Sequence, residues 1–274
     1  MEKAKWQGNW LVEWIPETGS TNADLLAAVS LDVPHRYVLT TDHQTAGRGR
    51  LGRAWEAPAG SNLLVSILFR DVQGPLHRLT QNLGLATVMV LREEYGLDAG
   101  LKWPNDLVVN SVKSAEGAGQ VESELKIAGI LAQMLQTPAP IRSAHESVMV
   151  TNVVTGMGLN VNWAPPPDVA DATCMANEVA LLGVQSGVLE PHVILGRILT
   201  KYDELEAMHD PQVFGLYRNH LRTLGKQVRC QMPDGNDIVG RAIDVGIDGR
   251  LQVLDDCAIT HHIDTADVMH LRRA

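Results

Sequence analysis

The stretch QTAGRGRLGRAW, residues 44–55, lies between two strand-like runs, and its connection to the second of them limits the fold more than any other feature of the chain. Gly47, Gly49 and Gly52 fit the G-x-G-x-x-G pattern. In a dinucleotide-binding unit the last of these glycines opens a helix that packs on a parallel sheet. Here Gly52 leads into RAWEAPAG, broken by Pro58 and Gly60, and then into SNLLVSILF, an apolar run of strand length. No crossover helix fits before Asp71, so the pattern is not a Rossmann turn. A Walker loop would need Gly-Lys-Ser/Thr, and a kinase would need His-Arg-Asp and Asp-Phe-Gly; none is present. What remains is a glycine–arginine loop that joins strand to strand.

The flanking segments read as mixed α and β. NWLVEWI and RYVLTT are strands, and Ser20 or Thr21 is placed to cap a helix over residues 22–30. HRLTQNLGLATVMVLREEYG carries a helical apolar period closed by Gly96. Strands come next at AGLKW, DLVVN, KIAGILAQML and SVMVTNVVTGMGLNV, and a second helical region spans about 187–223, after WAPPPDV. From Gly225 onward short strands alternate with the turn signals PDGN and IDGR. The sequence therefore divides into a main domain, 1–224, and a small β-domain, 225–274. The latter is too short for a strong core of its own, so it is expected to pack on the main domain. Residues 110–125, rich in Gly, Ser and Glu, read as a mobile surface loop.

Arg48, Arg50 and Arg53 crowd into this loop although the chain carries a formal charge of −9. That acidity disfavours a general nucleic-acid surface, which needs a broad basic face. A local anion clamp fits better, because glycines admit close approach of backbone N–H groups and arginines supply planar cationic forks. A solvated basic turn is the plainer alternative. Three nearby charges repel one another, so the loop is expected to order when an anion binds. Cys174, Cys230 and Cys257 show no metal-ligand or disulfide pattern, the N-terminus has no apolar signal core, and no apolar run approaches the ~18 residues that span a bilayer. A cytoplasmic protein without a membrane segment is expected.

Two further turns carry candidate chemistry. KWPND places Lys102, Asn105 and Asp106 around a Trp-Pro turn, suited to a phosphate, a magnesium ion or an incoming amine, or simply to the turn itself. KIAGI sets Lys126 at a strand entrance, where it can snorkel to water, with Gly129 inside the strand. Gly129, and Gly156 and Gly158 in TGMGLN, mark places where a ligand or another backbone comes close.

Taken together and in this order, STN (20–22), QTAGRGRLGRAW (44–55), KWPNDL (102–107), KIAGIL (126–131) and GMGLNVN (156–162) resemble the biotin protein ligases, over nearly the whole chain. The resemblance implies an α+β catalytic domain of the class II synthetase-like type, with helices on a mixed, mainly antiparallel sheet, and an SH3-like C-terminal β-barrel. It implies that biotin and MgATP form biotinyl-5′-AMP, whose acyl group then passes to a lysine of a biotin carboxyl carrier domain. By the same resemblance Ser20, Thr21, Asn22, Gln44, Gly47, Arg48, Lys126, Gly129 and Gly156 bind biotin. Arg50, Arg53, Trp55, Lys102, Asn105 and Asn160 lie toward ATP and the adenylate. Lys126, Arg48, Lys102 and Asp106 are the catalytic candidates, with Asp106 orienting the acceptor amine or taking its proton, and no metal ligand is assigned to Mg2+. Only nineteen residues precede Ser20, so the resemblance is to the monofunctional type, without DNA binding, as a monomer or homodimer. A lipoate-type ligase and a nucleic-acid module are the rival readings. Leu51 and Gln133 depart from the family pattern, which commonly has Arg and Glu there.

Overall fold

Burial with a period of two along two adjacent strands sets the frame. The computed structural model describes residues 5–31, 33–115, 119–140, 147–184 and 187–271. In β3 (Tyr37–Gln44) Val38 and Leu39 enter different apolar clusters, and in β4 (Leu63–Phe69) Val65, Ile67 and Phe69 oppose Leu68 in the same way. Alternate side chains leave a strand on opposite faces, so both faces of this sheet are covered.

Eight strands form the main sheet. β1 (Lys5–Gln7) and β2 (Trp10–Thr18) precede β3; β5 (Ala99–Lys102), β6 (Asp106–Ala115), β7 (Gly119–Pro140) and β8 (Ser147–Leu159) come after β4. The spatial order is β1-β2-β3-β4-β8-β7-β6-β5, and only β2 and β3 run parallel. One face carries α2 (His77–Glu93), flanked by α4 (Pro191–Glu206) and α5 (Asp210–His220). The other carries α1 (Thr21–Ala28), whose Leu25 packs with Leu39, Leu68 and Val154. A short helix after the proline-rich segment, α3 (Met175–Leu181), is not anticipated from the sequence.

The expected loop at 110–125 is instead a β-ribbon. β6 and β7 stay paired from Asp106↔Gly129 out to Ala115↔Gly119, with residues 116–118 outside the described set. The segment QVESELKI alternates polar and apolar residues, a strand signal that its Gly, Ser and Glu content hides.

The C-terminal segment forms a five-stranded antiparallel sheet from β9 (Gln227–Gln231), β10 (Asp237–Val245), β11 (Leu251–Leu254), β12 (Thr260–Ile263) and β13 (Asp267–His270), in the order β12-β11-β10-β9-β13. Its apolar residues, among them Val228, Leu251 and Val253, belong to the same cluster as the main core. Trp103 pins the joint: its Nε1 donates to Gly249 O at 3.0 Å and its backbone N–H to Thr223 Oγ1 at 2.9 Å.

The joint is also sensitive to acid. Glu124 on β7 accepts from His270 at 2.8 Å and pairs with Lys226. Burial pushes the Glu124 carboxyl up, but these bonds and charges prevail and hold it at about 2, against an ordinary 4.5. His270 is lowered, first by burial, and Lys226 and Lys102 add to the effect while Glu124 opposes it. A depressed carboxyl contributes stability that is present above its unfolded pKa and is lost as pH falls through the folded value. The Glu124 contribution therefore disappears between pH 4.5 and about 2. A depressed histidine acts in the same direction below its ordinary 6.5. Glu124→Gln is expected to remove roughly 1–2 kcal/mol of this acid-dependent stability. Melting curves of the two proteins, taken from pH 6 downward, should converge as acid protonates the wild-type carboxyl; a constant gap would contradict the assignment.

Candidate active site

The register of the main sheet gathers its smallest residues on the α1 face. Asp106 pairs with Gly129, Gly129 with Gly158, and Gly158 with Leu64; in the adjacent row Ser66 pairs with Gly156 and Gly156 with Leu131. Missing side chains at Gly129, Gly156 and Gly158 leave a depression, which α1, the 45–62 loop and residues 163–172 wall into a cavity of about 720 Å³. The floor is closely fitted. A Cβ on Gly158 would stand 2.2 Å from the Trp55 indole, and one on Gly156 would stand 2.1 Å from Asn22 Oδ1.

The glycine–arginine loop is itself a small hairpin. Trp55 N donates to Gly47 O at 3.0 Å and Gly49 N to Arg53 O at 2.8 Å, around a 310 turn at Arg50–Gly52. Leu51 at φ 56° and Gly52 at φ 74° make the tip left-handed. Gly47 is buried with its missing Cβ 2.4 Å from Trp55 O, so its role is to let the two hairpin arms touch; it does not line the cavity.

The three arginines have different surroundings. The Arg48 side chain lines the cavity and bonds to no other described residue. Arg50 donates to Asn105 Oδ1 at 3.0 Å, Thr265 Oγ1 at 2.9 Å and Ala266 O at 3.3 Å. Arg53 pairs with Asp267. The C-terminal sheet thus supplies partners to the loop and, through Asp267, a wall of the cavity.

Lys126 reaches this space because of a β-bulge. Leu107 pairs with Ala128 but Val108 pairs with Lys126, leaving Ile127 as the extra residue, and such bulges re-aim the side chains beside them. The ammonium meets Asp106 Oδ1 at 2.7 Å and lies 5.6 Å from the centre of the Trp55 ring. The indole Nε1 of Trp55 is buried without a partner among the described residues.

At the opposite end Ser20, Thr21, Asn22 and Gln44 form a polar pocket. Thr21 N donates to Gln44 Oε1 at 2.9 Å. Of the other sequence-predicted residues, Gly129, Gly156, Asn105 and Asn160 also line the cavity, whereas Lys102 does not. Lys102 pairs with Asp106 across the Trp-Pro turn and lies close enough to affect His270. The Asn160 amide is taken up by Asn62 and by Thr173 O, and the Asn105 amide by Arg50 and by Ile130 O, so both support the site from within. Sequence reasoning missed Asp267, Ser66 and the 163–172 wall. Only Ser66 left a readable signal, as a lone hydroxyl inside the apolar run LLVSILF.

One end of the cavity therefore offers neutral donors and acceptors, the other offers guanidinium groups, and Lys126 stands between them. Such a site can hold a polar ring at one end and bring two anions together at the other.

Comparison with known proteins agrees with this chemistry. The model of the biotin/lipoate A/B protein ligase family matches residues 14–151. The biotin–[acetyl-CoA-carboxylase] ligase of Mycobacterium tuberculosis is 38% identical, with 94% of this chain and 88% of that protein covered. The enzyme of the same name from Paracoccus denitrificans is 26% identical, with 88% and 90% covered. The structure of the Aquifex aeolicus biotin protein ligase in complex with biotin and ATP shares the fold, with a TM-score of 0.67, 22% identity, and 95% and 99% coverage.

Proposed function

Because this chain belongs to the biotin/lipoate A/B protein ligase family, we propose that it activates biotin with ATP to biotinyl-5′-AMP and transfers the acyl group to a lysine of a biotin carboxyl carrier domain. The observation that carries the reading is one cavity with a neutral polar pocket at one end, Arg48, unpartnered among the described residues, and the Arg50–Arg53 pair at the other, and Lys126 between.

In the first step biotin's carboxylate attacks the α-phosphorus of ATP and pyrophosphate leaves. Two anions must meet, and their repulsion is met by fixed cations that need no reorganisation during the reaction. In this reading Lys126 and Arg48 meet the carboxylate and the developing acyl phosphate, and Arg50 and Arg53 meet the phosphates. Trp55, on its glycine floor, is a flat apolar surface for the adenine. Magnesium enters as MgATP. Among the described residues no three His, Cys, Asp or Glu side chains converge as a metal-holding group, and Asp106 is already paired with Lys126, so the triphosphate oxygens would supply most of the ligands.

In the second step the acceptor amine must lose a proton, its ordinary pKa being about 10.4. Asp106, at the cavity edge, accepts it as the amine attacks the acyl carbon and AMP departs. Asp106→Asn keeps the shape and the hydrogen bond to Lys126 but removes the base. It is expected to slow transfer about 100-fold, and adenylate formation much less, in single-turnover assays that track each step. Transfer and adenylate formation both at the wild-type rate would exclude the role.

The division of labour belongs to the same proposal: residues 1–224 bind biotin and ATP, and residues 225–274 buttress the arginine loop. Further parts are a cytoplasmic location, which suits a chain with unpaired cysteines, and the lack of a DNA-binding role, which suits its net charge. Among the described residues no helix is long and apolar enough to cross a membrane.

Biotin-dependent exchange of pyrophosphate into ATP tests the first step alone. Exchange that lipoate supports and biotin does not would favour the lipoate branch of the family.

A further inference from the structure

We propose that Ser66 and Gln133 are positioning residues that fix the hydrogen-bond polarity of the Thr21–Gln44 pocket, so that the pocket selects a cyclic urea by its pattern of donors and acceptors. The inference rests on the biotin reading of the cavity and adds to it the source of ring specificity.

The direction of every proton is set by one fixed point. Leu131 O is a backbone carbonyl and can only accept, and it lies 3.2 Å from the Asn22 amide nitrogen. That contact turns Asn22 Nδ2 toward β7, where Gln133 Oε1 accepts its second proton at 2.9 Å. Asn22 Oδ1 must then face the other way. There it meets Ser66 Oγ at 2.6 Å, and since a carbonyl oxygen cannot donate, the Ser66 hydroxyl does.

Ser66 has one proton and has now used it. Its remaining close contact, Thr21 Oγ1 at 2.7 Å, is therefore made by Thr21 donating to Ser66. Gln44 Oε1, 3.1 Å from the same Thr21 hydroxyl, is held instead by the Thr21 backbone N–H at 2.9 Å. Asn22, Ser66 and Thr21 are each buried, Gly156 leaves the room that the Asn22 amide occupies, and a turned-over amide would set its oxygen against Leu131 O. The relay Thr21→Ser66→Asn22→Gln133 thus has one direction.

Its consequence appears at the cavity. The Thr21 oxygen has given its proton inward and is left as an acceptor, while Gln44 Nε2 hydrogen-bonds to no described residue and is left as a donor. A cyclic urea matches both, its N–H facing Thr21 and its carbonyl facing Gln44. A cyclic guanidinium of the same shape, such as 2-iminobiotin at neutral pH, offers only donors and sets one against Gln44. Asn22, whose two amide protons are taken by Leu131 O and Gln133, lines the cavity and also acts through Thr21.

Calorimetric titration of the purified chain with biotin and with 2-iminobiotin tests this. Ser66→Ala leaves Thr21 free to rotate and is expected to weaken biotin about tenfold. The loss for 2-iminobiotin should be smaller, so that the preference between the two ligands narrows, with the KM for ATP unchanged. Gln133 is exposed, so its variants test the same relay without a folding risk. Gln133→Ala should narrow the preference less, and Gln133→Glu, which still accepts from Asn22, should restore it. An unchanged preference in both Ser66→Ala and Gln133→Ala, or equal losses for both ligands, would overturn the relay while leaving the biotin reading intact. Failure of the wild-type chain to bind biotin would overturn both.

Discussion

Lys126→Met is expected to lower the rate of adenylate formation about 100- to 1,000-fold, the usual cost of removing one preorganised group from a developing charge. The side chain is half-buried on a bulged strand and touches Asp106 at 2.7 Å. Methionine keeps much of the length and the apolar stem but removes the only described ammonium that lines the cavity. The loss should be larger than a missing charge alone would give, because Asp106 then faces the incoming carboxylate and phosphates unneutralised. Biotin-dependent pyrophosphate exchange reads the effect, which should fall on kcat more than on the KM for biotin if the contact strengthens in the transition state. Lys126→Arg is not a conservative control, since a planar fork cannot occupy the site of a compact ammonium above the Trp55 ring. A Lys126→Met enzyme with normal exchange would reduce Lys126 to a structural partner of Asp106.

Gly47→Ala should act on retention of the intermediate. The added Cβ would stand 2.4 Å from Trp55 O, a backbone atom, so the hairpin arms must separate. Opening them breaks the Trp55 N to Gly47 O bond and the Arg48↔Ala54 bridge, which displaces the indole from its glycine floor and Arg48 from the cavity. A closed loop shields a reactive acyl-adenylate from water until the acceptor arrives. The variant is therefore expected to release biotinyl-5′-AMP at least about tenfold faster, a change of about 1.4 kcal/mol or more in holding it. Global stability should change little, because the loop tip belongs to neither apolar cluster. Gly60→Ala is the matching control. At φ +71° it strains the backbone of the same connection, yet its Cβ would meet nothing within 4 Å, so it should cost stability and spare retention. Equal release rates from the wild type and Gly47→Ala would show that the hairpin does not hold the intermediate.

What could be read from the sequence was mostly local. The 45–55 loop was legible as a strand-to-strand connection because Pro58 and Gly60 exclude a helix within a few residues of it. The period of α2 and the turn signals after Gly225 are equally short-range. Non-local facts were not legible. The parallel pairing of β2 with β3 depends on register across the sheet, and the partnership of Arg53 with Asp267 joins residues more than two hundred positions apart. Lys102 illustrates the limit well. Its motif places it beside Asp106, and the two are direct partners across β5 and β6, yet only the fold shows that Asp106 lines the cavity while Lys102 stands near His270 of the C-terminal sheet. The 110–125 ribbon was missed because its composition suggested a loop while its alternation, the better guide, indicated a strand.

The most direct measurement is ATP-dependent incorporation of biotin into the lysine of a biotin carboxyl carrier domain by the purified chain, monitored by mass spectrometry with lipoate present as a competing acid. The expected result is a single biotinyl adduct on that lysine, dependent on ATP and undiminished by lipoate. A folded chain that binds ATP yet yields no adduct, or that attaches lipoate in preference, would contradict the proposed function.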